Sequence, residues 1–121
     1  SSPYRELAAA VGEVRSVVEL MLSWQKAAES APREIYRVGL NTTRLLMMLG
    51  EVLIGWLLAW EAEVAERALA QGASGADRDF YRGKVAVARF FAENRLPLVA
   101  AQADAARATS LDAMDIDDAV L

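Results

Sequence analysis

Between Leu45 and Trp60 the chain carries a single charged side chain, Glu51, and its apolar positions recur at helical rather than strand spacing. Placed at about 100° per residue, Leu45, Leu49, Val52, Leu53, Trp56, Leu57, Trp60 and Val64 form one broad face, the expected core stripe. Met47, Ile54 and Leu58 fall roughly opposite, flanked by Gly50, Glu51 and Glu61. A helix that is apolar on both sides needs partners on both sides. One chain of this size has few helices to supply them. The stretch is therefore hard to cover within one chain and points to something outside it.

The remaining sequence divides at helix punctuation. A first segment, about Pro3 to Glu29, follows a candidate N-cap at Ser2 and has Leu7, Val11, Val14, Val18, Met21 and Leu22 on one face. Ser30-Ala31-Pro32 breaks it and starts a second segment, about Arg33 to Ala70. Gly39 and Asn41-Thr42-Thr43 are poor helix formers near its start, so a single rod and a short helix followed by a long one both fit. The clearest loop is Gln71 to Asp77, where Gly72 can end one helix in a left-handed conformation and Asp77 can cap the next. A third segment, about Arg78 to Ala108, contains Pro97, for which a kink near Asn94 is expected rather than an end. Short connections between long helices make neighbours antiparallel. The expected fold is an up-down bundle of three long helices over residues 1–108, with a fourth short helix left open, followed by an acidic tail over 109–121. The tail holds Asp112, Asp115, Asp117 and Asp118, and docking, a short helix or fraying all fit it.

Composition excludes most chemistries. The chain has 121 residues, enough for one domain to bury a core, and 55% of them are hydrophobic. It contains no His, which removes the commonest general base, metal ligand and pH switch together, and no Ser-His pair or His-bearing di-iron site can be assembled. It contains no Cys, so disulfides and thiol chemistry are out, and a reducing cytoplasm fits. A net charge of −4 with no basic stripe argues against nucleic acid. No P-loop lysine follows the glycines at 72 and 75, which come after a helix rather than a strand. Ser1 to Ala10 lacks the order of a signal peptide. The Leu45–Trp60 run is shorter than the roughly 20 residues a bilayer needs and has Glu51 at its middle, so no membrane span is expected. The chain starts at Ser1 without Met, which a processed protein or a piece of a larger one would explain. No catalytic, cofactor-binding or metal-ligating residue is assigned.

What is left is surface. The third segment carries one apolar row of Phe80, Val87, Phe91 and Leu98 and a second of Tyr81, Val85, Ala88, Ala92, Leu96 and Val99. Either a compact bundle wraps these rows, or an apolar patch meets another domain or another copy of the chain. On the second reading Met47, Ile54, Leu58, Tyr81 and Val85 are the candidate interface residues. Trp56 and Trp60, one turn apart, read as core packing rather than a stacking platform for a flat ligand. Glu51, away from the expected core stripe, reads as a solvent-facing or interfacial carboxylate rather than a buried acid.

Two stretches carry a resemblance. Phe80-Tyr81-Arg82-Gly83-Lys84, followed by Ala88-Arg89-Phe90-Phe91-Ala92-Glu93-Asn94-Arg95-Leu96-Pro97, resembles the C-terminal helical domain of the larger bacterial FAD-dependent acyl-CoA dehydrogenases. Leu45-Leu46-Met47-Met48-Leu49-Gly50-Glu51-Val52 through Gly55-Trp56 is similar to a second segment of that domain. Gly50 and Gly55 would let a neighbouring helix approach closely. The resemblance implies a parent enzyme that oxidises the α,β bond of a fatty acyl-CoA, with FAD and the glutamate base in domains preceding this one. No position here matches those sites. The implied role is domain packing and subunit association, with the dehydrogenase domains of the same polypeptide and a second copy of the chain as partners. A free-standing dimerisation or adaptor module is the alternative, and a bundle binding a small ligand near Trp56 and Phe91 is a third reading.

Overall fold

The computed structural model describes residues 3–121 and is helical, with no strand among the described residues. The Ser2 N-cap expected for the first helix lies outside them. Helix α1, Pro3–Ala27, comes first, and a 3-10 turn at Pro32–Glu34 leads into the short α2, Ile35–Gly39. Helix α3, Thr42–Ala70, is the longest. Then come α4, Gly75–Asn94, and α5, Pro97–Arg107, and the tail ends in 3-10 turns at Asp112–Asp115 and Asp118–Val120. The second segment is thus a short helix and a long one, broken at Leu40-Asn41.

Local chemistry explains the ends. Gly72 takes φ +92° and donates to the Leu69 carbonyl while Ala73 donates to that of Ala68, the paired bonds that close a helix around a left-handed glycine. Helix α4 begins three residues before the expected start, with Ser74 rather than Asp77 at its N-cap. Asp77 instead stands in the first turn, where its charge favours the positive end of the helix dipole. At Pro97 the expected kink is a break. Proline has no N–H to give to the turn before it, so α4 stops at Asn94 and α5 starts afresh at Pro97, after two intervening residues.

Helix α1 lies against α3, α4 and α5, and α3 and α4 form the closest antiparallel pair. Their core joins Leu7, Val14, Val17 and Met21 of α1 with Met48 and Ala59 of α3, Ala92 of α4, Leu96, and Val99 and Ala103 of α5. Most of the α3 and α4 contribution is small. Gly55, Ala59, Ala62 and Ala65 face inward from α3, and Ala88 and Ala92 from α4. A Cβ on Gly55 would stand 2.9 Å from Leu96 Cδ2. The glycine is therefore what admits the leucine. Gly50, which the sequence paired with it, has nothing within 4 Å of that position, so it serves no close approach inside this chain.

The same test separates two other glycines. Gly12 in α1 and Gly83 in α4 are exposed helix-interior positions with open space at the Cβ site. Gly12→Ala and Gly83→Ala should each raise stability by about 0.5–1 kcal/mol through helix propensity alone. Urea unfolding reads this as a higher midpoint at unchanged slope. A lower midpoint would mean these faces are closely packed.

At the broken end of the bundle Asn41 is fully buried. Its amide donates to Arg37 O at 2.9 Å and Thr109 Oγ1 at 2.8 Å, and its Oδ1 accepts from Arg44 Nε at 3.0 Å. Arg37 also donates to the Thr109 carbonyl. These bonds tie the α2–α3 joint to the end of α5. At the far end, Tyr4 donates to Glu63 Oε2 at 2.7 Å, which raises the tyrosine above its ordinary value and holds the carboxyl below its own. A depressed carboxyl stabilises the folded state above its unfolded pKa, so this tie weakens as acid protonates Glu63.

Candidate docking face

Of the stripe expected to form the core of α3, Leu45 and Val52 pack against the core and the rest points the other way. Leu49, Leu53, Trp56, Leu57, Trp60 and Val64 are exposed, Trp60 by 55%, while Met48, Gly55, Ala59 and Ala62 on the opposite side are buried. The greasiest face and the inward face are different because α1 and α4 approach α3 closely, and close approach selects Gly and Ala over Leu and Trp. Trp56 and Trp60 stack on each other in the open, ring centroids 5.6 Å apart and tilted by 31°. Core packing, the expectation for that pair, is contradicted. Only Trp24 packs against the core.

Helix α4 continues the uncovered surface. Its second row does form the inner face: Ala88, Ala92, Leu96 and Val99 are buried, and Tyr81 and Val85 are half-buried. The first row, apart from the half-buried Phe91, is not covered, with Phe80 and Val87 more than half exposed. So α1 covers one side of the α3–α4 pair and no described helix covers the other.

The candidate interface residues divide accordingly. Met47 and Ile54 are exposed at 62% and 48%, and Leu58 beside them is half-buried. Val85 lies elsewhere, in a recess with Pro3, Tyr4 and Arg89, and Tyr81 lines a groove with Trp60 and Phe80. That groove holds about 430 Å³ between the C-terminal half of α3 and the start of α4. Within it Lys84 Nζ sits 3.1 Å from Glu61 Oε2 and 5.4 Å from the Phe80 ring centroid, a cation over an aromatic face. A second groove, of about 440 Å³, runs between Met47 and Leu98 and holds the Glu51–Arg95 ion pair. Glu51 is accordingly neither a free surface carboxylate nor an isolated buried acid. Arg95 takes one of its oxygens, and Oε2 is buried with no hydrogen-bond partner among the described residues.

Nothing in these grooves has the constellation of a catalytic centre. Lys84 and Arg95 are each paired with a carboxylate, and Arg44, in the second groove, is held by the Asn41 and Gln102 side-chain oxygens. Trp56 and Phe91, the aromatics of the ligand-cavity reading, are on different sides: Phe91 packs against the core and Trp56 faces outward. By length and composition alone, Pro32–Ala70 is apolar enough to cross a membrane. Core helices of soluble proteins pass the same test, and it does not show a span.

A bundle with one side bare is what a piece of a larger assembly looks like, and the comparison with known proteins says which. The family described as acetyl-CoA dehydrogenase C-terminal like matches residues 3–117. The chain belongs to that family. It is 42% identical over 113 residues to the broad-specificity linear acyl-CoA dehydrogenase FadE5 of Mycobacterium tuberculosis, which covers 93% of this chain and 18% of that protein. The chain thus spans less than a fifth of the curated relative it matches.

For an acyl-CoA dehydrogenase C-terminal domain the two resembling stretches acquire a physical meaning. They meet: Leu96 of the second lies over Gly55 of the first, and Pro97 opens α5 immediately beyond. What the motif encodes here is a helix–helix contact and a turn, not a reactive group.

Proposed function

We propose that this domain is the non-catalytic packing element of a flavin-dependent dehydrogenase acting on fatty acyl-CoA thioesters. On this reading it packs on the rest of the enzyme and takes part in subunit association. The observation that carries the reading is the bare outer side of the α3–α4 pair, where Met47, Ile54, Phe80 and Val87 stand in solvent. Large apolar side chains exposed together along one side of a helix pair mark a docking surface. We divide the chain into a packing body, residues 1–108, and an acidic tail, 109–121, which is tethered by Thr109 to Asn41 and by Asp115 to Arg33. A cytoplasmic enzyme suits a chain without cysteine.

FAD belongs to the rest of the enzyme on this reading, because the residues here do not fit it. A flavin dinucleotide needs free donors for its pyrophosphate. In the two grooves described above Lys84 is committed to Glu61, Arg95 to Glu51, and Arg44 to the Asn41 and Gln102 side-chain oxygens. The family match and the small share of the relative that is covered favour a domain of an enzyme over a free-standing adaptor.

The test introduces Met47→Lys with Ile54→Lys in the whole dehydrogenase. Leu58 is left alone because it is half-buried and its loss would weaken the bundle itself. The isolated double variant should keep its helical circular dichroism. In the whole enzyme its domain should come loose, cut free by protease at least about tenfold faster, as expected for losing a buried apolar anchor. An enzyme that resists protease as well as the wild type would sink the reading.

A further inference from the structure

The exposed apolar residues of α3 form two stripes. One holds Met47 and Ile54, and its Met47 end borders the groove toward α5 that contains the Glu51–Arg95 ion pair. The other, Leu46, Leu49, Leu53, Trp56 and Trp60, alternates spacings of three and four and spans about 21 Å of helix. Leu57 and Val64 widen it and, with Trp60, line the groove that holds the Glu61–Lys84 ion pair. This heptad spacing keeps one seam facing a second helix that lies along it at a shallow angle. No charged side chain belongs to the seam between Leu46 and Trp60.

We propose that this seam pairs with the same seam of a second copy of the chain, the two α3 helices running antiparallel about a two-fold axis near Leu53 and Trp56. The inference rests on the packing-domain reading above and names the occupant of one of its two apolar stripes. Area is the first support. Complete cover of these seven residues would remove at most roughly 700–800 Å², against the share of about 800 Å² that each partner gives to a standard interface. Direction is the second. Continued at the same spacing, the seam reaches Glu63, which antiparallel pairing sets at Leu46, and then Arg67, which is ion-paired to that Glu63. Parallel pairing would set Glu63 against Glu63 and Arg67 against Arg67, whereas antiparallel pairing separates the like charges and leaves Arg67 beside the uncharged Thr42. Shape is the third. In the antiparallel register Leu53 meets Trp56 and Leu49 meets Trp60, so every indole lies on a leucine. Gly50, with nothing within 4 Å of its missing Cβ, leaves a notch beside Leu49. A two-fold contact is self-complementary, which an apolar seam of alternating leucine and tryptophan satisfies.

The 121-residue chain tests this directly. In sedimentation equilibrium its mass should rise from one chain to two with concentration. Leu53→Glu should raise the dissociation constant at least about tenfold at unchanged helicity, while Ile54→Lys should leave it within about twofold. Should Leu53→Glu lose helicity, Leu53→Ser makes the same measurement. Because the chain has no native cysteine, register can be read by cross-linking. Leu49→Cys mixed with Trp60→Cys should be joined by a short bis-maleimide, and Leu49→Cys alone should not, since antiparallel pairing holds those copies about 16 Å apart along the axis. A chain that stays monomeric, a dimer indifferent to Leu53→Glu, or efficient cross-linking of Leu49→Cys alone would each overturn the proposal. A monomeric chain whose Met47 and Ile54 variants still loosen the domain in the whole enzyme overturns the pairing and leaves the packing-domain reading intact. A dimer sensitive to Leu53→Glu, in an enzyme indifferent to Met47 and Ile54, supports the pairing and sinks that reading.

Discussion

Leu96→Ala should lower the unfolding free energy by about 3 kcal/mol, the mid-range for emptying a leucine site in a packed core. Leu96 is 2% exposed, sits in the two-residue break between α4 and α5, and presses its branched end onto Gly55. It is the one large side chain that fills the space the α3 glycine leaves, so its removal opens a cavity that the flanking helices cannot close without sliding. The partner substitution makes the claim sharper. Gly55→Ala in the wild-type chain gains about 1 kcal/mol of helix propensity. It must also push aside a buried leucine whose Cδ2 and Cδ1 lie 2.9 and 3.1 Å from the new methyl group. Overpacking of that kind costs about 1–3 kcal/mol, so the net effect should be a loss of about 1 kcal/mol. With alanine at 96 the obstruction is gone, and the same Gly55→Ala change should stabilise by about 1 kcal/mol. The sign reverses. A double-mutant cycle by urea unfolding should therefore return a coupling of about 2 kcal/mol. A coupling near zero would mean that Leu96 and Gly55 do not meet.

Asn41→Leu should cost about 2–3 kcal/mol although it places a larger apolar side chain in a fully buried position. The asparagine satisfies a carbonyl on Arg37, a hydroxyl on Thr109 and a guanidinium on Arg44 at once. Leucine has neither donor nor acceptor, and the groups left behind are shielded from water that could replace it. The loss should also be directional. Thr109 is the point at which the tail leaves the bundle, so amide exchange after residue 109 should quicken more than exchange in α1. Uniform quickening across all helices would instead describe a simple loss of global stability.

Sequence legibility differed between these two sites for a physical reason. Gly55 and Leu96 stood inside two stretches that carried the family resemblance, and a glycine amid Leu and Trp is itself a signal of close approach. Gly50 sent the same signal without any such contact in this chain, because a missing side chain does not say which side of a helix has a neighbour. Asn41 was visible only as a poor helix former near a helix start. Its burial depends on Thr109, far along the chain, and no local pattern contains that distance.

The sequence by itself determined the number of long helices, their loops and the family, because periodicity, glycine, proline and short motifs act within a few residues. It also set the amount of apolar surface on α3, more than one bundle hides. Only the tertiary structure decided which side of α3 is the inside. The wheel ranks faces by greasiness, whereas a helix pair ranks them by how near two backbones can come. In this chain the small residues Gly55, Ala59 and Ala62 won the core and left Leu53, Trp56 and Trp60 facing outward.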